Sequence, residues 1–500
     1  MKAFDDYTSD CVTFPSNWLK ERKTKTNESQ TGATDSKEAE CQSFERISVE
    51  MQADLTDSMT FVENPDWVRV SAFLKRTEPL VMKALEQNLR SVAAFDRYIR
   101  IMAADHDATL RKTHSLKHKA VSDEMAVLSV DWNSSGTTVL AGYGVPHHDD
   151  WCAHKGCICT WNMERRKLDP AKADVCVDMD ACVTVVRFHP RTPGLLAAAT
   201  FSGQLVVCNL ANPGDSVVIF EGKPSDNSHK QPVTCLEWLP KSDGNREFSL
   251  VSAAQDGRIL VWNLPSRGAE LQLAAAFAIN VGSLPRLLRG KVTNLDKEAG
   301  LTGLALSSKE SDLFLAAGET GALLHCNMNA KDPVGQLGDC TLHNPVVLGL
   351  RPHNGTVYCV RASPSHRNLF LTVSGDGCVR ICNILKMDAL INVDLGSGYL
   401  YSASWSPVRP TVFAVATGDG HVALFDLMVS QAAPIANISC DTDKKPVHSV
   451  AFNARRPDTL VCGDGKGVLT VWQLGSRFVT APGDEMAKLD SLAVLAQDND

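Results

Sequence analysis

The first ten residues, MKAFDDYTSD, lack the apolar run that a secretory leader needs, and acids stand in its place. Long hydrophobic stretches are missing throughout. The longest weakly polar run, LQLAAAFAINVG (271–282), falls short of the about 20 apolar residues that cross a bilayer, so no membrane association is expected. Positive charge is also in short supply. Lys and Arg number 50 against 58 Asp and Glu, the formal net charge is -8, and no basic stripe offers to neutralise phosphates. Nucleic acid is therefore excluded as a partner. Catalytic signatures are missing as well. There is no GxSxG, no GxxxxGK[ST], no HExxH and no GxGxxG after a strand, and no nucleophile–base pair stands out. The sequence points to no enzyme, cofactor or metal centre. What is present is a soluble globular composition, 44% apolar and 22% charged, over 500 residues, enough for two or three domains. Without a secretory route, the sixteen cysteines are expected to be reduced thiols in a cytosolic or nuclear protein, mostly buried as small hydrophobes.

Three zones follow one another. Residues 1–63 form an arm with a modest acidic excess. Its stretch 20–40, KERKTKTNESQTGATDSKEAE, carries no apolar side chain larger than alanine and cannot offset the entropy of ordering, so disorder is expected. Within the arm Gln30, Gln42 and Gln52 are spaced by 12 and 10 residues, each with Glu two positions earlier (ESQT, ECQS, EMQA). Short extended peptides of this kind add as strands to an open sheet edge, and several in series gain from a dimeric partner.

Residues 64–106 read as a helical segment. Asn64 and Pro65 suit an N-cap and first helical position, and Thr77-Glu78-Pro79 reads as the restart of a second helix. Val70, Phe73, Leu74, Leu80, Val81, Ala84 and Leu85 make an apolar stripe, either packed on its own domain or offered to another protein. A linker is expected over 107–124, and an acidic tail over 483–500.

Between them, residues 125–482 repeat. A turn glycine leads five residues later to an aromatic or cysteine, then a polar residue, then Leu, Met or Ile: Gly156 to Trp161, Gly203 to Cys208, Gly257 to Trp262, Gly321 to Cys326, Gly377 to Cys382, Gly420 to Phe425 and Gly467 to Trp472. Alternating segments such as VTVVRFHP (183–190), VTCLEWLP (233–240) and LYSASWSP (400–407) read as strands, and Asp-Gly pairs at 256, 376 and 419 as hairpin turns. Units of 43 to 64 residues that must hide their strand edges imply an all-β, seven-bladed WD40 propeller, with Trp161, Trp262, Phe425 and Trp472 as structural residues. The Trp-Asp dipeptide itself is missing, and cysteine replaces the aromatic in blades two, four and five, which must repack around a smaller side chain. His229 and His353 are placed to bond Asp256 and Asp376 structurally. VCVDM (175–179) and INVDL (391–395) suit outer strands. The outer strand of blade seven comes either from SRFVTAP (476–482) or from residues near 108–118, and the loop 277–300, with Arg286, Arg289 and Lys291, is either a binding loop or slack. The ligand-rich run HHDDWCAHKGC (147–157) falls in the loop before the strand CICTWNM. It lacks the paired CxxC and HxxxH spacing of structural zinc and reads as a polar inter-strand loop, with adventitious metal affinity and a zinc site as the alternatives.

This arrangement resembles the dynein intermediate chain family, most of all the WD-repeat chains of cytoplasmic dynein 2. The likeness is carried by SHRNLFLTVSGDG (365–377), WSPVRPTVFAVATGDGHVALFDL (405–427), GDGKGVLTVWQL (463–474), VSAFLKRTEPLVMKALEQN (70–88) and KLDSLA (488–493). In the arm only Ser29-Gln30-Thr31 is close to the family's motif, and ECQS and EMQA depart from it. The resemblance implies a non-catalytic motor subunit of retrograde intraflagellar transport and cilium assembly, found in cytoplasm, cytoskeleton, cilium and the ciliary base or centrosome. Its propeller would hold the dynein heavy chain. Ser29, Gln30, Thr31, Gln42 and Gln52 would dock hub light chains, and another part of the arm Tctex-type chains. Phe73, Leu74, Leu80, Val81, Ala84 and Leu85 would bind roadblock-type chains, and light-chain dimers would recruit a second intermediate chain. The alternative is a WD40 substrate receptor of a ubiquitin ligase, with the helices at 65–92 as its adaptor-docking element.

Overall fold

The computed structural model describes residues 66–83, 85, 110–148, 152–211, 217–222, 225–241, 247–264, 271–284, 286–289, 294–307, 312–440, 443–481 and 483–495. The chain divides into two compact units, 1–83 and 84–500. The first contains a helix over 67–83. The second is a seven-bladed β-propeller.

Each blade is an antiparallel sheet of four strands, as Ala126–Trp132, Thr138–Gly144, Gly156–Asn162 and Val175–Met179 in blade one. The innermost strands of the others are Val183–Phe188, Val233–Pro240, Leu301–Leu306, Val357–Ala362, Leu400–Trp405 and Val447–Phe452. Each packs against the next, and the seventh packs against the first, so the ring closes and no inner edge is left bare. Closure uses the N-terminal side of the propeller. Strand Leu110–Leu116 pairs antiparallel with Leu469–Leu474 as the outer strand of blade seven. Of the two candidates for that strand, the segment near 108–118 is the one used, and part of the stretch 107–124 is thus blade and not linker.

SRFVTAP instead begins with a short helix, Ser476–Val479, whose Phe478 is fully buried. A longer helix, Glu485–Leu495, follows. Its Leu489 and Ala493 join the core of blades five and six. It is anchored by Arg409 of blade six, whose guanidinium meets Asp426 Oδ2 at 2.9 Å and donates to Glu485 Oε1 and to the carbonyl of Arg477, all three side chains being buried. The segment expected as an acidic tail is therefore largely part of the folded unit.

Blade three is widened. A hairpin, Pro333–Leu337 and Cys340–His343, leaves blade four after its third strand and lies parallel against Gln272–Ala278, pairing Ala276 with Leu342 and Phe277 with His343. It covers an outer edge and buries Leu337 and Leu342. In the loop 277–300, Ile279 and Leu284 are buried, and a short helix Arg286–Arg289 returns Arg289 Nε to the carbonyl of Leu284 at 2.6 Å. Lys291 lies outside the described residues.

Six of the seven repeat glycines adopt positive φ, as Gly203 at +85°, where an added Cβ would sit 2.5 Å from the carbonyl oxygen of His229. Gly156 differs. It is the first residue of its strand and not a turn residue, because blade one has a longer connection there.

Packing explains how cysteine replaces tryptophan. Facing residues on the three inner strands of each blade run Trp132–Val139–Trp161, Phe188–Leu196–Cys208, Trp238–Leu250–Trp262, Leu306–Phe314–Cys326, Ala362–Phe370–Cys382, Trp405–Phe413–Phe425 and Phe452–Leu460–Trp472. Where the third position is Trp, the second is Val or Leu. In blades four and five, where the third is Cys, the second is Phe. Volume lost from one strand is restored on its neighbour, keeping the interior close-packed. Blade two keeps Leu196 and instead packs Phe188 in the same cluster as Cys208.

Candidate interaction surfaces

The helix 67–83 starts from Asp66, whose Oδ1 accepts the amides of Val68 and Arg69 at 3.1 and 3.3 Å, while its carbonyl accepts Val70 N. Arg69 Nε lies 3.4 Å from the Asp66 carboxylate. The cap expected at Asn64 and Pro65 lies outside the described residues; within them Asp66 fills the role. The helix continues through Pro79 where a restart was expected. Pro79 can give Lys75 no amide hydrogen, and the hydroxyl of Thr77, two residues earlier, bonds the carbonyls of Phe73 and Leu74 at 2.9 and 3.3 Å. One uninterrupted helix puts Trp67, Val70, Phe73, Leu74, Leu80 and Val81 on one face. That face is open: Phe73 is 55%, Leu80 67% and Trp67 72% exposed. Leu85, also helical, is exposed as well. Arg69, Lys75, Arg76 and Lys83 occupy the other side. Ser29, Gln30, Thr31, Gln42, Gln52 and Ala84 lie outside the described residues.

The propeller buries the residue types that the helix exposes. Trp161 and Phe425 are fully buried, Trp262 is buried, and Trp472 is half-buried beside the core of blades six and seven. Burial pushes the Cys208 thiol up to about 12 and Cys382 up to about 11, so these cysteines stay protonated and pack as apolar groups. His229 Nδ1 lies 3.2 Å from both oxygens of Asp256, and its Nε2 is 2.8 Å from Ser252 Oγ, which also accepts Trp262 Nε1 at 2.9 Å. His353 repeats this latch in blade five, with Asp376 at 3.1 Å and Thr372 at 2.9 Å. Burial, with Arg380 nearby, pushes His353 down to about 4, against the opposing pull of Asp376. Burial also lifts the Asp376 carboxyl, but the amides of Asn354 and Cys378 and the charge of His353 outweigh it and leave it below its ordinary value. The pairs join neighbouring loops of the ring and face inward to the fold, as structural bonds do.

On the innermost strands Arg361 Nη1 bonds Glu237 Oε1 at 2.8 Å, and Arg187 Nε is 3.8 Å from the same oxygen. A contact between blades three and five crosses the ring near its axis. Asp131, lifted above its ordinary value by burial and held back by Arg187, accepts the amide of Phe188 at 2.8 Å. Two cations and two carboxylates here pair with each other. At the start of the innermost strands of blades five to seven, Tyr358, Tyr399, Tyr401 and His448 form an aromatic group, with ring centroids 4.8 to 6.3 Å apart along the chain of contacts. Tyr399 is 56% exposed. Tyrosine at a solvent face suits a protein contact. A groove of about 570 Å³ between blades two and three is lined by Gly203, Phe220, His229, Trp262 and Leu273. Two groups of sulfur and nitrogen ligands also come together: His148, Cys152, His154 and Cys182, and Cys157, Cys159 and Cys176. Cys182 was not connected with the first group by sequence reasoning, because it enters from the next blade. Among the described residues no helix is long and apolar enough to cross a membrane.

The model of the WD domain, G-beta repeat matches residues 222–263 and 345–383. These segments carry the third strands of blades three and five, the two blades with a His–Asp latch. Over 498 residues the chain is 33% identical to cytoplasmic dynein 2 intermediate chain 2 of Mus musculus, spanning 97% of this chain and 92% of that protein. It is 34% identical over 432 residues to the Homo sapiens protein of the same name, spanning 86% and 80%. The ciliary dynein intermediate chain 2 of Heliocidaris crassispina is 26% identical over 401 residues, spanning 75% of this chain and 52% of that protein. With a third of its residues shared along almost its whole length, the chain belongs to the dynein intermediate chain family.

Proposed function

We propose that this chain is a non-catalytic intermediate chain of a cytoplasmic dynein 2 motor and serves as its scaffold. The observation that carries the proposal is an open apolar helix face N-terminal to a propeller whose own core is complete. The helix brings a docking surface, and the propeller brings a rigid body with edges already paired. In this reading the propeller holds the heavy-chain tail, and the exposed tyrosines 358 and 399 belong to the surface best suited to it. Phe73, Leu74, Leu80, Val81, Ala84 and Leu85 bind a roadblock-type light-chain dimer. Burying each of the larger side chains contributes about 1.5–3 kcal/mol, enough for a specific contact. Ser29, Gln30 and Thr31, with Gln42 and Gln52, dock hub light chains as added strands, and the arm also carries Tctex-type chains. Dimeric light chains bridge to a second intermediate chain. The motor's ATP chemistry resides in the heavy chain, and the assembly works in retrograde intraflagellar transport and cilium assembly, from the ciliary base along the cilium.

The test is affinity purification of the tagged full-length chain from ciliated cells, with mass spectrometry of what accompanies it. A dynein heavy chain with light chains is expected, the light chains being lost when residues 1–92 are deleted. Cullin adaptors without dynein would contradict the motor reading and favour a substrate receptor.

A further inference from the structure

We propose that His148, Cys152, His154 and Cys182 form a structural zinc site that staples blade one to blade two. Their four ligand atoms all lie within 4.8 Å of one another. Two thiolates and two imidazoles around a tetrahedral centre are a closed zinc donor set, with no position left for substrate, and soft sulfur with imidazole favours zinc over hard cations.

The surroundings are built for it. Cys182 is fully buried, between the outer strand of blade one and the inner strand of blade two. The amide of Val145 donates to its sulfur at 3.2 Å, and the amide of Cys182 donates to the sulfur of Cys152 at 3.4 Å. Amide donors of this kind stabilise metal-bound thiolates and fix their orientation. The His148 ring is clamped on Phe201 at 4.0 Å, nearly parallel, with His154 edge-on at 5.5 Å. His148 Nε2 is buried and has no hydrogen-bond partner. An imidazole nitrogen sealed from water without a partner is costly, and a metal ion would satisfy it.

The position also explains a need. In blades three and five a histidine four residues before the inner strand latches onto the Asp before the turn glycine. In blade two the corresponding residues are Met179 and Ser202, so this latch is missing. The zinc would join the long connection of blade one, the entry to blade two and, through His148 on Phe201, the turn of blade two. It would replace a hydrogen-bonded latch with a coordinated one. Sequence spacing hides the site because Cys182 lies 30 residues beyond Cys152.

The test is the zinc content of the purified full-length chain, kept reduced and dialysed free of loose metal, by elemental mass spectrometry. About one zinc per chain is expected, as for any single structural site. Cys152→Ala, at a half-buried position, and His154→Ala, at an exposed one, should each lower it at least tenfold without loss of fold by circular dichroism. Cys176→Ala, in the three-thiol group, should leave it unchanged. Cobalt exchanged into the wild-type chain should show tetrahedral d–d bands with thiolate charge transfer, lost in Cys152→Ala. Zinc absent from the wild type, zinc retained by both Cys152→Ala and His154→Ala, zinc lost with Cys176→Ala, or a Cys152–Cys182 disulfide found in its place would overturn the proposal.

Discussion

The propeller and the N-terminal helix draw on the same apolar side chains and use them in opposite ways. In blades one to seven Phe, Trp, Leu and Val face inward, and their packing is tuned to the level of one cross-strand pair, as Phe314 opposite Cys326 shows. On the helix, Trp67, Phe73, Leu74 and Leu80 face water. A helix of this length is marginal in isolation, since most helical stability comes from packing an apolar face. The difference separates two roles. One part of the chain is finished by its own residues, and the other is finished only by a partner.

If the propeller is self-sufficient, its buried anchors should govern stability. The largest effect is expected for Arg409→Ala, which leaves Asp426 and Glu485 buried together without their cation and costs about 3–5 kcal/mol. Urea denaturation should show the midpoint falling, and limited proteolysis should cut first at the freed helix Glu485–Leu495. An unchanged midpoint would mean that this helix is merely laid on blade six.

Next comes the contrast among blades. His229→Ala removes a buried partner from Asp256 and Ser252 and is expected to cost about 1–3 kcal/mol. Met179→Ala, at the corresponding place in blade two, removes no such bond, and its cost should come from lost packing alone. Amide exchange in blades two and three distinguishes the two: only the first variant should expose the turn at Gly257.

Per group and per pH unit, the smallest effect is the response to acid. His353 and His448 are held neutral, each pushed down to about 4 chiefly by burial, from an ordinary value near 6.5. Between these values the unfolded chain binds more protons than the folded one. Stability is therefore complete above about pH 6.5 and falls as pH drops toward 4, by roughly 1 kcal/mol per unit for each group. Thermal midpoints measured across that window should fall with acidification, and His448→Gln should flatten the slope. A midpoint flat from pH 7 to 4 would contradict the burial of both groups.

Much of the fold was legible because one rule recurs. A glycine, a turn residue in six of the seven blades, and a large or sulfur-bearing residue five positions later mark the third strand of every blade, since each blade meets the same packing problem. His229–Asp256 and His353–Asp376 were legible for the same reason. Blade closure was not. Either end of the chain supplies a strand-like segment, and only the pairing of Leu110–Leu116 with Leu469–Leu474 decides. The ordered C-terminal helix was hidden because its anchor, Arg409, is far away in sequence. Compensation between Phe370 and Cys382 was hidden because volume is shared across strands and not along them. On the helix the stripe was legible from its period, while continuity through Pro79 was not, because a proline in a helical pattern ordinarily marks an end. The grouping of Cys182 with His148 required the ring itself.

The measurement that tests the division of roles most directly is a comparison of tagged full-length wild type and Phe73→Asp, purified side by side from ciliated cells. A charge at the centre of the stripe should lower the roadblock-type light chain in the purified complex by at least about a hundredfold, equivalent to about 2.7 kcal/mol, while the heavy chain remains and the propeller's thermal midpoint is unchanged. A variant that keeps its light chain at the wild-type level would show that the open helix face is not the docking surface, and that the contrast between a finished propeller and an unfinished helix has been drawn in the wrong place.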